Sequence, residues 1–189
     1  MKKYILALTF LMVASFTFSA LTPKEEKINW VSVEEAVALS KKKPKKIMID
    51  VYTNWCGPCK RMASTTFVHP FIVTYVNENY YAVKFNAEGN DTVEFKGNVY
   101  VNKQFNPANV SRRNGTHDFT RAIAPVNGRI AYPTIVYMDE ELNYLTGVQG
   151  AYGAKDIEPI LKWFATDTYK ENPDFNSYKA NFVSEIPED

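Results

Sequence analysis

The chain holds two cysteines, Cys56 and Cys59, three positions apart in Trp55-Cys56-Gly57-Pro58-Cys59-Lys60. Two thiols at that spacing can close into a disulfide and reopen, so the segment could carry two electrons by thiol–disulfide exchange. The local chain decides which sulfur attacks. Upstream, Lys46-Ile47-Met48-Ile49-Asp50-Val51-Tyr52 is a short apolar run rich in branched residues, the pattern of a strand buried on both faces. Downstream, Lys60-Arg61-Met62-Ala63 favours helix, and Pro58 is tolerated in a first turn. The first sulfur therefore falls near a helix N-terminus. The helix dipole and free N–H groups there favour a thiolate, lowering its pKa from about 8.5 toward about 7 or below. Cys56 is expected to attack. Cys59, one turn on and expected to be the more buried, would resolve the mixed disulfide.

Asp50 lies inside the apolar strand, where a carboxylate is costly without a partner or a role. Desolvation would raise its pKa into the range useful for a general base.

The run Asp50-Val51-Tyr52-Thr53-Asn54-Trp55-Cys56-Gly57-Pro58-Cys59-Lys60 resembles the active-site segment of thioredoxins, including the aspartate six positions before the first cysteine. Ala82-Val83-Lys84-Phe85-Asn86 is similar to the next thioredoxin strand, and Ala131-Tyr132-Pro133-Thr134-Ile135-Val136 to the cis-proline segment facing the cysteines. The resemblance spans roughly residues 46–163 and points toward longer secreted thioredoxin-like proteins of Gram-negative bacteria. It implies an α/β thioredoxin fold, a central mixed sheet flanked by helices. It also implies that Asp50 takes the Cys59 proton through water, that Lys84 tunes Asp50, and that Trp55, Gly57, Pro58, Tyr132 and Pro133 hold substrate. A plain buried Asp50–Lys84 ion pair is the alternative. Tyr132 departs from the pattern, since smaller or β-branched residues are commoner there, so substrate range does not carry over.

Those groups need an address and a scaffold. Residues 1–20 carry Lys2 and Lys3, an apolar stretch and then Ser19-Ala20, the layout of a secretory signal peptide. Residues 21–189 are then expected to be one thioredoxin-like domain, periplasmic or secreted, with no stable membrane insertion. The formal charge of +1 falls to about −1 without Lys2 and Lys3, which gives no electrostatic case for nucleic acid or a membrane surface.

Ser32 with Glu35 predicts a helix start, ending near Lys41 to Lys43 before Pro44. After the active-site helix, residues 71–79 read as a further helix, and His69 as a loop residue. Two histidines without paired spacing make a metal site unexpected, and no cofactor is needed. An insertion over about 89–128 starts with a hairpin, 92–95 against 99–101 across Lys96-Gly97-Asn98. It continues as a polar loop over 102–115 and a helix capped by Thr116. It either shapes partner choice or covers a sheet edge. Strands over 135–138 and 144–148 follow, then a glycine-bearing loop over 150–153 expected near the cysteines. The closing helix is read over 156–165, with Pro159 in its first turn. An extension over about 166–189 holds one further short helix.

The resulting expectation is an exported thiol–disulfide oxidoreductase that reduces or isomerises disulfides of exported proteins. Its electrons would come from, or go to, a membrane redox partner. A disulfide-inserting oxidant is the second reading. A binding module with a static Cys56–Cys59 clip is the third, weakened because so short a loop gains little from closure.

Overall fold

The structure, a computed structural model, describes residues 27–187, so the expected signal peptide lies outside the described residues. The elements run β1 (Trp30–Val31), α1 (Val33–Lys42), β2 (Lys46–Tyr52), α2 (Gly57–Thr65), α3 (Pro70–Asn79), β3 (Tyr80–Asn86), β4 (Val93–Phe95), β5 (Asn98–Tyr100) and α4 (Asp118–Ile123). Then come β6 (Thr134–Met138), β7 (Tyr144–Gln149), α5 (Ala154–Ala165), α6 (Thr168–Glu171) and α7 (Phe175–Ala180).

Five strands form a mixed sheet in the order β1-β3-β2-β6-β7, with β1 and β2 parallel to β3, and β6 and β7 antiparallel. This is the thioredoxin-like arrangement expected from the sequence. The period of two along β2 divides the core. Ile47, Ile49 and Val51 pack with Val33, Phe85 and Phe119 on one face. Met48 packs with Met62, Ile72, Ile135 and Leu161 on the other, beneath α2, α3 and α5. Asp50 falls on the Met48 face, the side that carries the cysteines.

Ser32 caps α1 by accepting the Glu35 N–H at 3.1 Å. Other boundaries correct the sequence reading. The hairpin turn is only Lys96-Gly97, at φ 50° and 76°, and Asn98 already pairs with Phe95. A turn with both central residues left-handed matches the twist of its strands, and glycine at the second position relieves the strain. The cap of α4 is His117 rather than Thr116, because the His117 ring accepts the Phe119 N–H at 3.0 Å. Helix α5 begins at Ala154, which puts Pro159 at its sixth residue instead of in the first turn. The carbonyl that thereby lacks a helical partner belongs to Lys155, which is exposed. Strand β1 escaped the sequence reading because two residues at a sheet edge carry no period.

The extension is folded onto the body. The fully buried Glu158 carboxylate accepts from Ser184 Oγ and, at 2.9 Å, from the Glu185 N–H, and it pairs with Lys162 at 3.1 Å. Trp163 donates to Asn172 O at 3.0 Å and packs against Phe175 and Tyr178. At the start of β2 the buried Lys46 ammonium meets Glu140 and Asp167, each at 2.8 Å. Among the described residues, no helix is long and apolar enough to cross a membrane.

Candidate active site

Strand β2 ends in a turn that places Cys56 at the N-cap of α2. Its N–H donates to Thr53 O at 3.2 Å, and its sulfur accepts the Cys59 N–H at 3.1 Å. The two sulfurs form a disulfide. A sulfur that already receives a helical N–H, at the positive end of the dipole, is in the setting that stabilises a thiolate once the bond opens. Gly57 and Pro58 are exposed in the first turn.

The expectation that Cys59 is the more buried cysteine is not met: Cys56 is 2 % exposed and Cys59 5 %. The adjacent Trp55 is held by contacts that a sequence does not display. Its indole N–H donates to Glu88 Oε2 at 2.7 Å, the Tyr132 ring meets it edge-on at 5.9 Å, and the Arg113 guanidinium lies 4.9 Å from its ring centre.

Asp50, Thr53, Asn54, Cys59, Lys60 and Lys84 line a cleft of about 130 Å³. That volume is ample for water. The Thr53 hydroxyl is buried without a hydrogen-bond partner, and among the described residues the Asp50 carboxylate forms no salt bridge. Burial pushes Asp50 up to about 6, against the opposing pull of the Lys84 charge. Lys84 is the register partner of Asp50 on β3, yet its ammonium lies 5.3 Å from the Tyr52 ring centre and 5.5 Å from that of Trp30. The plain ion pair, one of the two sequence readings, is therefore absent.

The Tyr132–Pro133 bond is cis. Pro133 is buried at the head of β6, and its carbonyl accepts the Gly150 N–H at 3.0 Å, which ties the glycine-bearing loop to this segment. Burial, helped by the Glu88 charge, pushes the Tyr132 phenol up to about 12, so it stays neutral beside Trp55.

Sequence reasoning missed Glu88 and Arg113. Glu88 Oε2 also accepts the Asn114 N–H at 2.8 Å, and Asn54 donates to Val110 O at 2.9 Å, so loop 102–115 is fastened to the residues just before Cys56. Asn102 closes the base of that loop, donating to Gly89 O at 2.9 Å and Gly115 O at 2.6 Å. Gly115 is required there, since a Cβ would lie 2.7 Å from the Gln104 carbonyl. No local pattern announces these contacts, because each joins residues far apart in the chain. His69 caps α3 without a side-chain bond, and His117 is buried in the α4 cap, apart from the cysteines. Among the described residues, no three His, Cys, Asp or Glu side chains are grouped as metal ligands would be.

The family model described as a thioredoxin-like domain matches residues 33–165. No curated protein matches the sequence. Among solved structures, a DsbH oxidoreductase is similar with a TM-score of 0.53 at 13% identity, over 81% of this chain and 95% of that one. A thioredoxin from Thermus thermophilus gives 0.53 at 12%, over 75% and 89%. A thioredoxin-fold protein from Helicobacter pylori gives 0.52 at 16%, over 72% and 81%. At these identities the likeness is one of fold.

Proposed function

Because the chain belongs to the thioredoxin-like domain family across residues 33–165, we propose that it is an exported thiol–disulfide oxidoreductase that reduces or isomerises disulfides of exported proteins. One observation carries the reading: the Cys56–Cys59 disulfide sits at the N-terminus of α2 beside a cleft holding Asp50, a buried carboxylate with no ion-pair partner among the described residues. A static clip would have no use for that carboxylate, whose burial is a cost to the fold.

In the reducing direction the Cys56 thiolate attacks one sulfur of a substrate disulfide. A Cys56–substrate bond forms, the substrate S–S bond breaks, and the departing cysteine takes a proton. Asp50, ionised above about pH 6, accepts the Cys59 proton through water in the cleft. The Cys59 thiolate then attacks Cys56 Sγ and releases the second substrate thiol. Two electrons leave the protein dithiol, which becomes the disulfide, and the substrate gains two thiols. Trp55, Gly57, Pro58, Tyr132 and Pro133 line the approach, with the Tyr132–Pro133 backbone receiving an extended substrate segment. Lys84 holds the Asp50 titration lower than burial alone would. A dithiol of a membrane protein returns the electrons, since an exported compartment lacks a cytosolic reductase.

The Gly-Pro pair between the cysteines, similar to reducing thioredoxins, favours reduction over disulfide insertion. Residues 1–20 are the export signal and 21–189 one domain, with 89–128 its insertion and 166–189 its extension. Turnover of insulin disulfides with dithiothreitol as electron donor tests the activity. Catalysis lost on Cys56→Ser is expected. Absence of turnover, together with a Cys56 that resists alkylation after reduction, would leave the fold as a binding module.

A further inference from the structure

The insertion meets the active-site segment through Val110 on Asn54 and Arg113 on Trp55, and the charged side chains exposed on the two facing segments are all basic. Loop 102–115 carries Lys103, Arg112 and Arg113 and no aspartate or glutamate, and all three cations are exposed. The turn and first helix around the cysteines, residues 53–65, carry Lys60 and Arg61, both exposed, and again no acid. The whole chain is nearly neutral, with 22 basic and 21 acidic residues, so this is a local concentration of charge.

Arg113 is the member whose position is fixed. Its guanidinium lies 4.9 Å from the centre of the Trp55 ring. The loop beneath it is held by Glu88 to Asn114 at 2.8 Å and by Asn54 to Val110 at 2.9 Å. Among the described residues no carboxylate pairs with Arg113 and no acceptor meets its N–H groups. Glu88, the carboxylate that fastens this loop to Trp55, accepts the Trp55 and Asn114 N–H groups through one oxygen. A guanidinium held against an indole keeps its planar fork of donors available, the arrangement that takes a carboxylate in a bidentate grip. Cys56 directly follows Trp55 in the chain.

We infer that Arg113 is a specificity residue: it receives an aspartate or glutamate next to the disulfide cysteine of an extended protein substrate, so the insertion selects acidic segments. This rests on the oxidoreductase reading above. The site would use Trp55 as the platform, Arg113 as the anchor, and Lys60 with Arg61 as the surrounding positive field that draws an acidic segment toward Cys56.

The test uses two synthetic peptide homodimers, each joined by one disulfide and differing only in glutamate or lysine on either side of the cysteine. The rate constant for reduction of each by the reduced protein is divided by that with dithiothreitol, which removes intrinsic reactivity. A preference of about fivefold for the glutamate peptide is expected at low ionic strength, the upper range for an exposed pair, shrinking as salt is added. Arg113→Glu is expected to invert the preference and Arg113→Gln to lose most of it. Arg113 is exposed, so neither change endangers the fold, and a circular dichroism spectrum checks that. Equal normalised rates, or a preference that survives Arg113→Glu, overturn the inference and leave the oxidoreductase reading standing. Reduction of neither peptide, nor of insulin, removes both.

Discussion

Asp50 and Lys84 are register partners on neighbouring parallel strands, yet the ammonium of Lys84 sits against the Tyr52 and Trp30 rings at 5.3 and 5.5 Å and forms no ion pair with the carboxylate. Asp50 thus keeps a charge that the fold does not neutralise by contact. Burial raises its pKa from 3.8 to about 6.

In the unfolded chain Asp50 loses its proton near 3.8, in the folded protein near 6, so between these values the folded state binds the extra proton. Stability falls as pH rises through that window. Above it the cost is about 3 kcal/mol, from roughly two pKa units. Asp50→Asn is therefore expected to raise the melting temperature at pH 7 and to flatten the decline between pH 4 and 6 in thermal scans. The same variant is expected to slow turnover at neutral pH about a hundredfold, the usual worth of a positioned base. A variant that is less stable and fully active would contradict both.

Lys84 acts on Asp50 by charge alone. Lys84→Met removes the pull that lowers the carboxylate, so the acidic limb of the turnover pH profile is expected to move upward from about pH 6. An unmoved limb would show that another group controls it.

Glu88 fastens Trp55 and loop 102–115 with one oxygen. Glu88→Ala leaves two donors without that partner, and a loss of about 1–3 kcal/mol is expected in urea unfolding. Hydrogen exchange is expected to quicken over residues 102–115 and to stay unchanged in β2 and β6, which a general weakening of the fold would not reproduce.

His117 is fully buried, accepts the Phe119 N–H through Nδ1 and lies with Nε2 2.7 Å from Asp91 O. With Nδ1 accepting, Nε2 is the ring nitrogen that donates to the Asp91 carbonyl. His117→Ala is expected to cost about 2 kcal/mol through loss of the cap and an unsatisfied carbonyl. His117→Asn, which can cap, is expected to recover part of it in the same unfolding measurement.

What the sequence displayed and what it hid divide along a physical line. The β2 strand, the Cys56–Cys59 turn and the Ser32 cap are local patterns, readable from neighbours within a few residues. Strand β1 was hidden because Trp30 and Val31 gain strand character only by pairing with Ala82 and Val83. The His117 cap was hidden because a buried imidazole outcompeted the commoner capping hydroxyl of Thr116. Pro159 was misplaced because α5 starts at Ala154, two residues before the position that the apolar spacing suggested. At the site, the grip of Glu88 on Trp55 and the seating of Lys84 on two rings depend on side chains brought together only by the sheet.

The reduction potential of the Cys56–Cys59 couple, obtained by equilibrating the protein with glutathione buffers and trapping free thiols, tests the reductive role most directly. A value near or below about −230 mV is expected, placing the dithiol among reductants. A value of about −120 to −150 mV would make the disulfide an oxidant and reverse the proposed direction of electron flow.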